Sequence, residues 1–290
     1  MPEADQLIGV KLPVLSHGYV VLVDYMGNDA AIVQAARVSY GMGTKTLRDD
    51  RGLIRYLLRH RHTTPFEMVE FKFLVRLPIY VARQWIRHRT GSFNEYSARY
   101  SVIPDEFDLP PPEDVRRQSG RNRQGRGDPL PPEPVDAFRT GLDRVSRDAY
   151  QVYSTALGAG VARETARLVL PLAYYTEWYW KVDLHNLFHF LSLRLDPHAQ
   201  EEIRRYAAEL AKVGKAVCPV AFEAFEEFTL GSLSLSRREQ AAVRALLEGS
   251  TPEAACAAAG LPLHREDGKP MTTGEGVEFL EKLARLRPPG

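Results

Sequence analysis

The chain has 290 residues, 44% of them hydrophobic and 26% charged, with a formal net charge of +1. This composition suits one or two ordinary globular domains and supplies no global field for nucleic acid or anionic membrane, so an anion site must come from local clustering. The two cysteines, Cys218 and Cys256, cannot build a disulfide framework and suit a reducing, cytoplasmic setting. MPEADQLIGVKLP does not read as a signal peptide, and no apolar run reaches the ~20 residues of a membrane span.

In chain order, HGYVVLVDYM (17–26) reads as a strand. Asn28 or Asp29 is a cap for a helix through IVQAARVS, where Ile32, Val33, Ala36 and Val38 keep helical spacing. A second helix is expected over 47–61 from the stripe Leu53, Ile54, Leu57 and Leu58. Thr64-Pro65-Phe66-Glu67 carries a capping-box signal that opens a short turn. Phe71, Phe73, Val75 and Leu77 then alternate with Glu70, Lys72, Leu74 and Arg76, which is strand periodicity. Pro78 starts a helix, IYVARQWIRHR, broken by Thr90, Gly91 and Ser92, after which the chain continues as a loop or extended segment. Residues 104–135, rich in Pro, Arg, Asp and Gly, read as a long mobile insertion, with a small lid as the alternative.

Helices are expected at 135–158 and 161–170, and LAYYTEWYWKV is β-prone. Asp183 is an N-cap for LHNLFHFLSLRL, and helices over 197–214 and from Pro219 complete a body ending near residue 230. Residues 231–290 read as a helical C-terminal extension. The fold class is α+β, a mixed or antiparallel sheet flanked by helices.

The segment RHRTGSFNEYSARYS concentrates the chemistry. Arg87-His88-Arg89, seven residues, then Ser97 brings three guanidiniums, counting Arg99, together with Asn94 and Glu95. Guanidinium forks suit phosphate and planar carbonyl groups, so the segment reads as a site for a phosphorylated polar heterocycle. A basic helix end would not need Asn94, Glu95, Ser97 and Arg99 as well. His185 and His189, at i and i+4, suit a metal, satisfied structural imidazoles or a ligand contact, but Asn186 stands where a zinc hydrolase signature has Glu. Arg163 and Arg167 lie one turn apart, and Arg194 follows an apolar stripe that buries part of its stem. His60 and His62 flank the capping turn, where an anion site and a plain helix start are equally open. No GxGxxG or Walker A segment is present.

These residues do not name a reaction, but together they resemble a family. RHR, seven residues and Ser is the signature of flavin-dependent thymidylate synthases. AARVSY (35–40), HTTPFE (62–67), PIYVARQWIRHR (78–89), ARLVLP (166–171) and DLHNLFHFLSLR (183–194) resemble further family blocks in order, covering about residues 17–230. The resemblance implies a homotetramer with shared active sites. It also implies FAD as cofactor, with dUMP, 5,10-methylenetetrahydrofolate and NADPH as substrates, giving dTMP.

By position it implies FAD contacts from Ser39, His62, Thr64, Arg87, His88, Arg89, Glu95, Asp183, Leu184, His185 and His189. It implies dUMP contacts from Gln84, Arg87, Glu95, Tyr96, Ser97, Ala98, Arg99, Arg167 and Arg194, with Arg194 favouring ionisation of uracil N3. Met68 stands where a His often follows the PFE turn, and no metal, membrane or nucleic-acid partner is implied. Two other readings compete with it. One is a nucleic-acid-binding module using Arg83, Arg87, Arg89 and Arg99. The other is a metal-dependent hydrolase built on His185 and His189.

Overall fold

The computed structural model describes residues 2–38, 50–120 and 125–286. They fall into two compact units, Met1–Leu230 and Gly231–Gly290. Among the described residues the larger unit holds seven strands: β1 (Lys11–Val14), β2 (Gly18–Met26), β3 (Glu70–Pro78), β4 (Ser92–Glu95), β5 (Arg116–Gln118), β6 (Arg126–Pro129) and β7 (Tyr175–Asp183). Its helices are α1 (Pro2–Asp5), α2 (Asp29–Arg37), α3 (Asp50–Arg59), α4 (Ile79–Trp85), α5 (Pro132–Gly158), α6 (Arg163–Ala166), α7 (Leu184–Arg194), α8 (Glu201–Val217) and α9 (Pro219–Phe225). The smaller unit holds α10 (Arg237–Leu247), α11 (Pro252–Ala258) and α12 (Glu275–Leu286).

The main sheet runs β1-β2-β3-β7-β4, and every pairing is antiparallel. The alternation in β3 does what its period demands: Phe71, Phe73, Val75 and Leu77 are buried. Register brings Phe73 beside Trp180 and Val75 beside Trp178, so the inner face of β3 and β7 is an aromatic slab. Trp85 of α4 stands edge-on to Trp180 at 5.1 Å, and Phe190 of α7 lies 4.7 Å from Trp85. Helices α4, α7 and α8 therefore share one core with the sheet, and burying such aromatics dominates the stability of the unit.

Asn28 is the cap expected for α2, its side chain accepting from the Ala30 N–H at 2.9 Å. Asp29 caps a different helix. Its carboxylate accepts from the Val220 and Ala221 N–H groups at the start of α9, at 3.0 and 2.9 Å. The capping box expected at Thr64 and Glu67 does not form. Thr63, in helical geometry, precedes a 3-10 turn over Thr64–Met68 and makes no side-chain cap. The helix from Pro78 stops at Trp85, leaving Arg87 just past its end. Gly91 explains the exit. A Cβ there would stand 2.7 Å from Trp180 Nε1 and 3.0 Å from Lys181 O, so only glycine lets the chain close onto β7 and continue as β4. The helix expected over 161–170 is split into α6 and a 3-10 turn, Arg167–Val169.

Residues 104–135 include the β5–β6 ribbon and the first turn of α5. Side chains tie the segment to the body: Asp108 accepts from Tyr80 and Tyr175, Asp114 pairs with Arg205, and Glu106 pairs with Arg76. In the smaller unit, Ser236 and Glu239 form a reciprocal capping box, and Ala242, Ala255, Cys256, Leu261 and Phe279 make a separate core. Among the described residues no helix is long and apolar enough to cross a membrane.

Candidate active site

Arg194 ends α7 as its last helical residue and is half-buried. Its Nε donates to Nε2 of His88 at 3.0 Å, and its Nη2 donates to the Gln84 carbonyl at 3.2 Å. Both acceptors are neutral, and among the described residues no carboxylate pairs with Arg194. Removal from water pulls its pKa below the usual guanidinium range. His88 is buried. Burial first, then the charge of Arg194 and the imidazole of His189, push its pKa down to about 4. It is neutral at pH 7, with Nε2 as acceptor and the proton on Nδ1. The result is a fixed cation with N–H groups to spare and no counter-ion, the arrangement that favours a ligand carrying negative charge.

A second cluster lies by the N-terminal end of α4. Glu95, Tyr96, Ser97, Ala98 and Arg167 line a cavity of about 360 Å3 with Ile79 and Thr176. Thr176 continues the inward face of Trp178 and Trp180 on β7, and its hydroxyl donates to Glu95 Oε1 at 2.6 Å. That bond fixes the carboxylate at the mouth. Ser97 Oγ accepts from the Arg99 N–H at 3.3 Å, and the Tyr96 hydroxyl donates to the Val102 carbonyl. The Arg99 guanidinium meets Glu164 at 3.1 Å with both side chains more than half exposed. A pair that open contributes little and yields readily to a phosphate.

The remaining sequence-predicted residues gather along α7 and the turn packed on it. Phe66 of that turn meets Phe188 of α7, placing exposed Thr64 beside the helix that carries His185 and His189. His189 stands 5.7 Å from the His88 ring. His62 is exposed and edge-on to Tyr56 at 5.9 Å. Asp183 accepts from both the backbone and side-chain nitrogen of Asn186, which defines the start of α7. Leu184 is set apart: its side chain is fully buried and its N–H is spent on the Val69 carbonyl. Arg87 and Arg89 are exposed, and among the described residues neither is paired with a carboxylate. Ser39 lies outside the described residues.

Within one chain the predicted site residues therefore form two groups at opposite ends of α4, not one. Arg194, Gln84 and His88 stand at its C-terminal end; Arg167 with the 95–98 segment stands near Ile79. Gln200, which accepts from the Gln84 amide, and Thr176 were invisible in the sequence. Neither belongs to a motif, and each reaches its partner only through the fold. No group of three or more His, Cys, Asp or Glu side chains that could hold a metal occurs among the described residues. Both cysteines are buried, and burial raises both thiol pKa values, so neither is a nucleophile at neutral pH.

Residues 21–220 match the family model described as thymidylate synthase complementing protein, Thy1. The chain is 56% identical over 252 residues to a flavin-dependent thymidylate synthase of Thermus thermophilus, covering 87% of this chain and 92% of that one. It is 49% identical over 262 residues to one of Rickettsia bellii, covering 86% and 89%. Among solved structures it resembles the UMP/dUMP methylase PolB from Streptomyces cacaoi bound with 5-Br dUMP. That match has a TM-score of 0.68 and 37% identity, covering 75% of this chain and 98% of that one.

Proposed function

The chain belongs to the family of flavin-dependent thymidylate synthases, and from that premise we infer how its own residues carry the reaction. It converts dUMP to dTMP, with 5,10-methylenetetrahydrofolate as one-carbon donor and NADPH as reductant. Bound FAD would supply the redox chemistry that links the reductant to the nucleotide.

The observation that carries the residue assignment is the uncompensated guanidinium of Arg194. Two neutral acceptors hold its orientation. Placed against uracil, it lowers the cost of negative charge at N3 and raises electron density at the carbon to be methylated. Neutral His88 is a positioning residue: its lone pair aims the Arg194 Nε, and a protonated ring could not. No thiol is required, in keeping with two buried, protonated cysteines.

Glu95, Tyr96, Ser97, Ala98 and Arg167 form the nucleotide pocket, with Arg99 exchanging Glu164 for the phosphate. Ser97 is assigned to binding the nucleotide. The donor set also fits a flavin dinucleotide. Arg87 and Arg89, exposed and without carboxylate partners, suit its diphosphate, and His62, Thr64, His185 and His189 offer polar groups along one face. Glu95 holds its place through Thr176, and Asp183 contributes by fixing the start of α7.

The two groups of site residues, with Arg194 at one end of α4 and Arg167 at the other, support a homotetramer in which facing subunits complete each site. The balanced charge favours the enzyme over nucleic-acid binding. The family match favours the synthase over the hydrolase. The test is dTMP formation by purified protein with FAD, dUMP, 5,10-methylenetetrahydrofolate and NADPH, followed by chromatography. Arg194→Ala is expected to lose at least about a hundredfold in turnover while flavin absorbance is retained, the scale typical of removing one preorganised charge-stabilising donor. Unchanged turnover would overturn the role of Arg194.

A further inference from the structure

A cavity of about 740 Å3 opens between the β5–β6 ribbon and the connection from α7 into α8, and it shares no lining residue with the nucleotide pocket. Five guanidiniums line it: Arg116, Arg117, Arg126, Arg204 and Arg205. Their carboxylate partners are fewer. Arg205 pairs with Asp114 and Glu201, Arg204 with Glu201, and Arg126 with Glu202. Among the described residues no carboxylate pairs with Arg116 or Arg117, which are exposed. The cavity therefore carries surplus positive charge in a chain whose overall charge is nearly balanced. A concave wall with such a local excess attracts anionic ligands.

Gln200 connects this cavity to the active site. It lines the wall, and its side-chain oxygen accepts from the Gln84 amide. The Gln84 carbonyl in turn accepts from Arg194. A molecule whose reactive end lies beside Arg194 thus has a basic cavity one glutamine pair away.

We propose that this cavity receives the anionic tail of a co-substrate. The proposal rests on the reaction assigned above. Both co-substrates of that reaction end in groups of the right chemistry: glutamyl carboxylates on the folate and a 2′-phosphate on NADPH. Forked guanidiniums recognise either one bidentately.

The test uses the holoenzyme and the double variant Arg116→Gln/Arg117→Gln, which touches no carboxylate pair and no residue placed in the catalytic machinery. An unchanged kcat and flavin content establish that it is folded and loaded. KM is measured for mono- and triglutamyl 5,10-methylenetetrahydrofolate and for NADPH against NADH, at low and moderate salt. The expected result is a rise of about fivefold in KM for the triglutamyl folate, larger at low salt, with the monoglutamyl form little affected. A rise confined to NADPH, with NADH unmoved, also supports the cavity and assigns it to the 2′-phosphate. A double variant matching the wild type on all four substrates overturns the proposal alone. A wild-type protein that forms no dTMP refutes the reaction assignment and the proposal with it.

Discussion

Replacing Arg194 with methionine isolates what its charge does to His88. The stem is kept, so packing against α4 changes little, but the cation and both donated hydrogen bonds are gone. In the wild type His88 is pushed from its ordinary 6.5 down to about 4. At about 1.4 kcal/mol per pH unit this displacement corresponds to roughly 3–4 kcal/mol. The sign follows from proton binding. Between these pH values the unfolded chain holds the proton and the folded chain does not. The contribution of His88 is therefore fully present above 6.5 and is lost as pH falls toward 4. Burial is the larger cause and the Arg194 charge the second. In Arg194→Met the His88 pKa is thus expected to climb yet stay below 6.5, because burial remains. NMR titration of 13Cε1-labelled histidines, assigned with a His88→Gln variant, reads the value directly. A wild-type ring titrating near 6.5, or one unmoved by Arg194→Met, would refute this account of how the guanidinium is held.

Three further outcomes are expected. Cys218→Ala/Cys256→Ala should still form dTMP, because neither thiol is reachable; loss of turnover in a protein that keeps its flavin would reinstate a thiol nucleophile. Gly214→Ala places a Cβ 2.3 Å from the Phe222 ring. Overpacking of roughly 1–3 kcal/mol outweighs the gain in helix propensity of about 1 kcal/mol, so Tm should fall, and a rise would show that the Phe222 ring gives way freely. Ser236→Ala removes the cap of α10 and should cost about 1 kcal/mol, seen as faster amide exchange over 237–247 but not in α7 or α8. Uniform acceleration across the chain would contradict a stability change confined to the smaller unit.

What the sequence made legible was whatever a single element determines. The alternation of β3, the Asp183 cap of α7 and the apolar stripe of α3 each need only local spacing, and each stands where that spacing put it. β1 escaped notice because four residues containing Pro13 carry too little pattern, and an edge strand tolerates them. The Thr64–Glu67 signal misled because the turn tightens into 3-10 geometry one residue earlier. In the site, the residues of the RHR…S segment were visible as chemistry. Their division between the two ends of α4 was not, since it depends on where β4 leaves that helix and pairs with β7. The pairs Thr176–Glu95 and Gln84–Gln200 span 81 and 116 positions, beyond the reach of any local rule. Residues alone indicated a phosphorylated heterocycle; the reaction came from family likeness.

The carboxylate of Asp29 meets the first amides of α9, nearly two hundred residues later in the chain. During synthesis this acid leaves the ribosome long before its partners exist. It cannot give up its water until the segment from Pro219 has emerged. The start and the finish of the larger unit are thus tied by one carboxylate, and a product truncated ahead of that segment would leave Asp29 without the two amides it accepts from.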